Sequence, residues 1–273
     1  MTGQLAIALV GGVGFAVGGI AAYLHLRHRA SWAPAVLRMA VGLALAADAL
    51  FLAAEIHRNG ASETFGQDFY STLLLAALIG LVGVGTHLSS RLRGLDGFLF
   101  ILAAAAQLSS LTVMHRAEMV VSNRPWFVSH GLAFAVSGTL FAAGGAAGLA
   151  YLLVNWMLRR KPASTLIGKV ASLESLERFG RWMPIIGFPM FTYGILTGLC
   201  GVWHREDIGR TAWYLDMSFV FSLAAWLVYA YLCGCVLYRP SIRGRRAAAL
   251  STYGLGLIVM LFLFWGFLSP VHR

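Results

Sequence analysis

Residues 128–157 read VSHGLAFAVSGTLFAAGGAAGLAYLLVNWM, a run of 30 positions without one Asp, Glu, Lys or Arg. A helix needs about 20 mostly apolar residues to cross the hydrocarbon core of a bilayer. This stretch is therefore long enough to span a membrane. Reading outward by continuous apolar length predicts seven further spans, near residues 4–24, 34–56, 69–90, 95–114, 182–203, 213–237 and 247–268. The predicted fold class is all-α: a polytopic membrane helical bundle of about eight transmembrane helices, one integral membrane domain over residues 1–273.

Composition agrees. Of 273 residues, 59% are hydrophobic and 12% charged, with a mean hydropathy of +0.74, which excludes most soluble classes and disorder. The 31 Gly are spread through apolar runs, where they suit close helix packing in lipid. Cys200, Cys233 and Cys235 sit in apolar stretches without CxxC spacing and make neither a disulfide framework nor a zinc site. The first apolar run follows MTGQ directly, with no basic segment before it, and reads as the first span rather than a cleavable signal. The long connection RRKPASTLIGKVASLESLERFGR, residues 159–181, breaks at Pro162. It continues with Leu173, Leu176 and Phe179 at helical spacing, so an amphipathic segment on the membrane surface is expected there.

A net charge of +10 suggests nucleic acid in a soluble protein, but here topology accounts for it. With the N-terminus outside, the inner side receives Arg27, Arg29, Arg38, Arg91, Arg93, Arg159, Arg160, Lys161, Lys169, Arg178, Arg181, Arg239, Arg243, Arg245 and Arg246. The outer side keeps Arg58, Arg116, Arg124, Arg205, Arg210 and Arg273. The excess of positive charge inside predicts an N-out, C-out protein of the cell (inner or plasma) membrane, in contact with the lipid bilayer and its anionic headgroups and not with nucleic acid. The outer face then collects a short loop around His57, the loops HRAEMVVSNRPWFVSH and WHREDIGRTAWYLD, and the terminal SPVHR. Five of the eight His (His57, His115, His130, His204 and His272) fall there, with Trp126, Trp203, Trp213 and Trp265.

Interfacial Trp residues commonly form belts without any ligand, and an imidazole near a helix end is often just solvated. Yet His130 and His272 both lie near span ends, and imidazole is a ligand for metal and haem iron. A haem site needs aromatic walls, one or two axial imidazoles and cations for the propionates. The outer segments hold candidates for each: Trp203, Trp213, Tyr214 and Phe219 as walls, His130 and His272 as axial ligands, and Arg124, Arg205 or Arg210 as propionate partners. Asp48 in mid-span is a functional candidate by default or a hydrogen-bonded acid facing the bundle, and Glu55 and His57 would continue a polar path outward. His87, near the inner end of its span, is expected to snorkel to the interface. His25 and His28 sit among arginines and read as solvated. No Gly-X-Ser-X-Gly, phosphate loop or His-Glu-X-X-His occurs, so no hydrolytic or phosphate chemistry is indicated.

Four ordered passages resemble the cytochrome c assembly family of CcsA/ResC and HemX-like membrane proteins, together covering residues 126–273. VSHGLAFAVSGTLFAAGGAAGLAYLL resembles a family helix that opens on a periplasmic His, here His130. GFPMFTYGILTG resembles the next, carrying Gly187, Phe188, Pro189, Thr192, Gly194, Ile195, Thr197 and Gly198. WYLDMSFVFSLAAWLVYA resembles the tryptophan-rich segment, on which Trp213, Asp216 and Trp226 fall. FLFWGFLSPVHR resembles the closing helix with a second periplasmic His, here His272. Residues 1–125 match the family only in span pattern.

The resemblance implies haem handling in cytochrome c maturation. Haem b would sit at the outer face, with His130 and His272 as axial ligands to the iron. Trp203, Trp213, Asp216 and Trp226 would line the site, and Arg124 and Arg210 would face the propionates. Apocytochrome c and a ResB-like membrane partner are the implied partners.

Several positions depart from the family pattern. The second Trp of Trp-X-Trp-Asp is Leu215, and Pro-Lys-Glu is replaced by Met217, Ser218 and Phe219. Cys233, Gly234 and Cys235 stand where haem-exporting relatives often hold a His late in the helix, and Asp48 stands about where some hold another. A haem-free membrane scaffold or regulatory subunit is the alternative, and an electron-transfer subunit exchanging with quinone is a third.

Overall fold

The computed structural model describes residues 2–28, 30–65, 67–113, 125–160, 170–203, 217–238 and 244–267. Eight long helices follow one another: α1 Thr2–His28, α2 Ala33–Phe65, α3 Asp68–Leu88, α4 Leu95–Val113, α5 Pro125–Arg160, α6 Leu173–Trp203, α7 Met217–Tyr238 and α8 Arg245–Phe267. A 3-10 turn, Ser90–Leu92, lies between α3 and α4. Among the described residues there is no strand, and helices α1 to α7 are each long and apolar enough to cross a membrane. The chain is a polytopic helical bundle, as its apolar run lengths require. A helix satisfies its own backbone hydrogen bonds within lipid.

Glycine sets the sharp breaks. Gly94 (φ 85) precedes α4, Gly244 (φ 61) precedes α8, and Gly60 (φ 82, ψ 157) interrupts α2 near its end. Side chains with a Cβ rarely adopt such angles.

Helix α1 packs on α2 and α4, and α3 packs on α4. α5 packs chiefly on α6 and α8, and α7 closes on α8. The contact of α3 with α5 is the main seam between the first four helices and the last four. One apolar core crosses that seam, from Phe15, Val41, Ile79 and Phe100 to Ala142, Ala143, Ala146 and Leu255. At one end of the bundle the Ala171 N–H donates to the Arg93 carbonyl at 3.0 Å, tying the α3–α4 turn to the start of α6. Arg91, Arg93, Arg159, Arg160, Arg178, Arg181, Arg245 and Arg246 gather at this basic end. At the other end Gln4 of α1, Glu55 of α2 and Tyr70 of α3 meet through hydrogen bonds.

Three expectations about local structure are corrected. The segment around Leu173, Leu176 and Phe179 is the first part of α6, not a separate surface helix. Leu176 is buried and Leu173 and Phe179 pack on the core. Here α6 lies against α5, with Gly180 facing Gly144 and Ala147, so the amphipathic face meets protein instead of lipid. His57 lies in helix, because α2 runs on to Phe65 rather than turning there. The loop expected to reach His130 ends at Pro125, which opens α5 at a position where the missing N–H costs no helical bond.

Candidate functional site

The site is built on the contact of α5 with α6. Along α6, Gly180, Gly187, Gly194 and Gly198 recur at intervals of seven, seven and four, which places them on one helical face. A Cβ at Gly187 would stand 3.0 Å from the Leu140 Cβ and 3.1 Å from the Phe141 ring. At Gly194 it would stand 2.8 Å from the Phe134 ring, and at Gly198 2.8 Å from Cε1 of His130. The α5 side chains Phe141, Phe134 and His130 therefore occupy the space that α6 leaves empty.

Beneath His130 the packing is aromatic. His130 and Phe134 have ring centroids 4.6 Å apart, Phe134 meets Phe191 edge-on at 5.3 Å, and Phe141 stacks on Tyr229 at 3.7 Å and 6°. Aromatic pairs of this kind add to the burial of their surface.

His130 is half-buried, and its Nδ1 lies 2.8 Å from the carbonyl oxygen of Gly194. A carbonyl only accepts, so Nδ1 carries the hydrogen and donates, and Nε2 keeps its lone pair. The same carbonyl accepts from Thr197 Oγ1 at 2.9 Å. An imidazole held at Nδ1 by a backbone carbonyl, with Nε2 left over, is how proteins orient a histidine that binds a metal.

Trp226 of α7 approaches α6 from another side. Its Nε1 donates to Thr192 Oγ1 at 3.0 Å, and its ring lies 5.6 Å from that of Phe188. Thr192 and Gly194 are two residues apart, about 200° around a helix. Trp226 and His130 thus flank nearly opposite faces of α6. Of the remaining predicted site residues, Arg124, Arg210, Trp213, Asp216 and His272 lie outside the described residues, and for Trp203 only the backbone, at the end of α6, is described. Among the described residues no group of three or more His, Cys, Asp or Glu is placed to hold a metal ion.

The first four helices carry three further polar groups. Asp48 of α2 is fully buried and accepts from Gln107 Nε2 of α4 at 2.8 Å. Toward the end away from the basic residues, Glu55 accepts from Tyr70 Oη at 3.2 Å and from Asn59 Nδ2 at 3.0 Å, and pairs with Arg58 at 3.3 Å. His57 is exposed, so of the two residues expected to extend the polar stretch outward only Glu55 joins a hydrogen-bonded layer. His87, in the last turn of α3, is paired with another helix. Its Nδ1 meets Asp96 Oδ2 of α4 at 2.7 Å, because the 3-10 turn and Gly94 fold α4 back on α3.

Sequence reasoning missed Thr192 as Trp226's partner, the Gly194 carbonyl, Gln107 and Asp96. Only the glycine spacing on α6 carried a readable signal, and it marked a contact face without saying which helix fills it.

A family model described as cytochrome C assembly protein matches residues 39–272, reaching across α2 to α4 as well as the later helices. Among curated relatives, the cytochrome c biogenesis protein CcsA of Thermosynechococcus vestitus is 34% identical over 90 residues, 33% of this chain and 27% of that protein. The same-named protein of Synechococcus elongatus is 31% identical over 122 residues, 44% of this chain and 34% of that protein. That of Porphyra purpurea is 31% identical over 97 residues, 36% of this chain and 29% of that protein. The matched stretches thus span about a third or less of these relatives' length. No solved structure matches the chain.

Proposed function

We propose a function from one premise: the chain belongs to the cytochrome c assembly protein family. It takes part in cytochrome c maturation by holding haem b at the end of the bundle away from the basic residues, the outer face of an N-out, C-out membrane protein. The observation that carries this reading is His130, with Nδ1 bonded to the Gly194 carbonyl and its ring seated over Gly198. That arrangement fits an axial ligand, because it fixes the tautomer and the direction of Nε2 without engaging Nε2 itself.

His272 is the second axial ligand. Trp203, Trp213 and Asp216 line the site, with Arg124 and Arg210 toward the propionates, while Trp226 braces α6 from its other face through Thr192. When bound, haem supplies the iron and the vinyl groups that apocytochrome thiols meet, while the protein positions them. The chain's own part is to orient one imidazole, to exclude water with Phe134, Phe141, Phe191 and Tyr229 below it, and to keep α5 and α6 in fixed register. Haem and apocytochrome c are the ligand and client, with a ResB-like membrane protein as partner.

Visible spectra of the purified protein test this, oxidised and reduced, beside a doubly substituted His130→Ala, His272→Ala protein. The reading expects a Soret band and sharp reduced α and β bands that vanish in the double variant. A colourless protein that takes up no added hemin would leave the haem-free scaffold in its place; Leu215, Met217, Ser218 and Phe219, beside two retained His, argue for altered haem binding and not for its clean absence.

A further inference from the structure

Asp48 and Gln107 lie midway along the first four helices, are both fully buried, and play no part in the haem reading. Gln107 Nε2 donates to Asp48 Oδ1 at 2.8 Å and to the Ile7 carbonyl at 3.3 Å, so three helices meet at one amide. Gly11 of α1 makes the room, since a Cβ there would stand 2.7 Å from Gln107 Cδ and 3.1 Å from Asp48 Oδ1. Turning the amide over would aim its oxygen at those same two acceptors. Its orientation is therefore fixed by its neighbours.

Two oxygens remain, Asp48 Oδ2 and Gln107 Oε1, both buried and without a hydrogen-bond partner among the described residues. With Asp48 as a carboxylate both are acceptors, and bare acceptors in a low-dielectric interior are costly. A single hydrogen resolves both. Placed on Asp48 Oδ2, it turns the carboxylate into a neutral acid that donates to Gln107 Oε1, completing the two-bond ring a carboxylic acid forms with a primary amide.

We infer that Asp48 and Gln107 form a proton-binding site within the membrane, holding one proton between Asp48 Oδ2 and Gln107 Oε1. Binding adds one proton to the carboxylate and makes one hydrogen bond; release returns that proton to water and leaves the two oxygens bare. Glu55, about two turns further along α2, belongs to the polar layer with Tyr70 and Gln4. Ile7, Leu52, Phe69 and Leu73 pack together between the two layers. The proton reaches that layer only when this apolar cluster opens.

Infrared spectra in H2O and D2O of the full-length protein, wild type and Asp48→Asn, test the site. The expected result is one protonated-carboxyl stretch that moves to lower frequency in D2O and is missing from Asp48→Asn. Asn can still accept from Gln107 Nε2 and donate to Gln107 Oε1, so this variant is expected to keep the wild-type melting temperature. Gln107→Leu keeps the carboxyl band but moves it to higher frequency, because its acceptor is gone. The inference is overturned by carboxylate bands that disappear in Asp48→Asn with no protonated band in the wild type. It is equally overturned by an Asp48→Asn protein that does not fold, or by a wild-type spectrum that changes when Na+ is exchanged for choline, which would place a metal ion between the oxygens.

Discussion

Two polar groups, one in each half of the bundle, are finished differently. In the second half, His130 satisfies one ring nitrogen with the Gly194 carbonyl and, among the described residues, leaves the other unspent. In the first half, Asp48 and Gln107 turn toward each other across α2 and α4, with the Ile7 carbonyl of α1 closing the third side. A single-partner histidine over a glycine face is arranged to receive something. An acid facing an amide inside a packed core is arranged to stay closed. The contrast follows from what sits beneath each group, an aromatic stack under His130 and the close approach of Gly11 behind Gln107.

The contrast breaks most severely if the aromatic stack is removed. Phe141 is fully buried between Phe191 and Tyr229, and Phe141→Ala is expected to cost about 4 kcal/mol, within the range for emptying a large core site. Denaturation in detergent micelles reads it, with haem content falling alongside.

A smaller change sharpens the glycine argument. Gly198→Ala puts a methyl where His130 Cε1 and Nδ1 stand at 2.8 and 3.0 Å and is expected to cost about 2 kcal/mol as the imidazole is displaced. At Gly42, where nothing lies within 4 Å, the same substitution is expected to be neutral or stabilising by up to about 1 kcal/mol. Equal melting shifts for the two variants would contradict the idea that the α6 glycines exist to seat α5.

The smallest effect belongs to the far side of α6. Thr192→Val removes the acceptor of the Trp226 indole and is expected to cost about 0.6 kcal/mol, the usual scale of an interhelical bond in a membrane protein. His130 is approached from another face of α6, so the variant's haem spectrum should not move.

The fold was legible because apolar run length is dictated by bilayer thickness, a constraint each helix meets on its own. Contacts between helices are not written that way. Leu173, Leu176 and Phe179 show the spacing of an amphipathic helix, but that spacing is the same whether the apolar face meets lipid or α5. His87 and Asp96 are joined by the fold-back at Gly94, whose geometry no spacing rule supplies. Asp48 stood out as an acid in mid-span, yet its partner is 59 positions away. His130 was found through resemblance, and the carbonyl that orients it became visible only once α5 and α6 were placed side by side.

Imidazole rescue of His130→Ala asks whether His130 is held by its Nδ1 so that Nε2 can bind haem iron. The variant is expected to lose haem absorbance, and added imidazole, filling the space over Gly198, to restore a six-coordinate spectrum. A His130→Ala protein that keeps the wild-type spectrum without imidazole would contradict that role of His130.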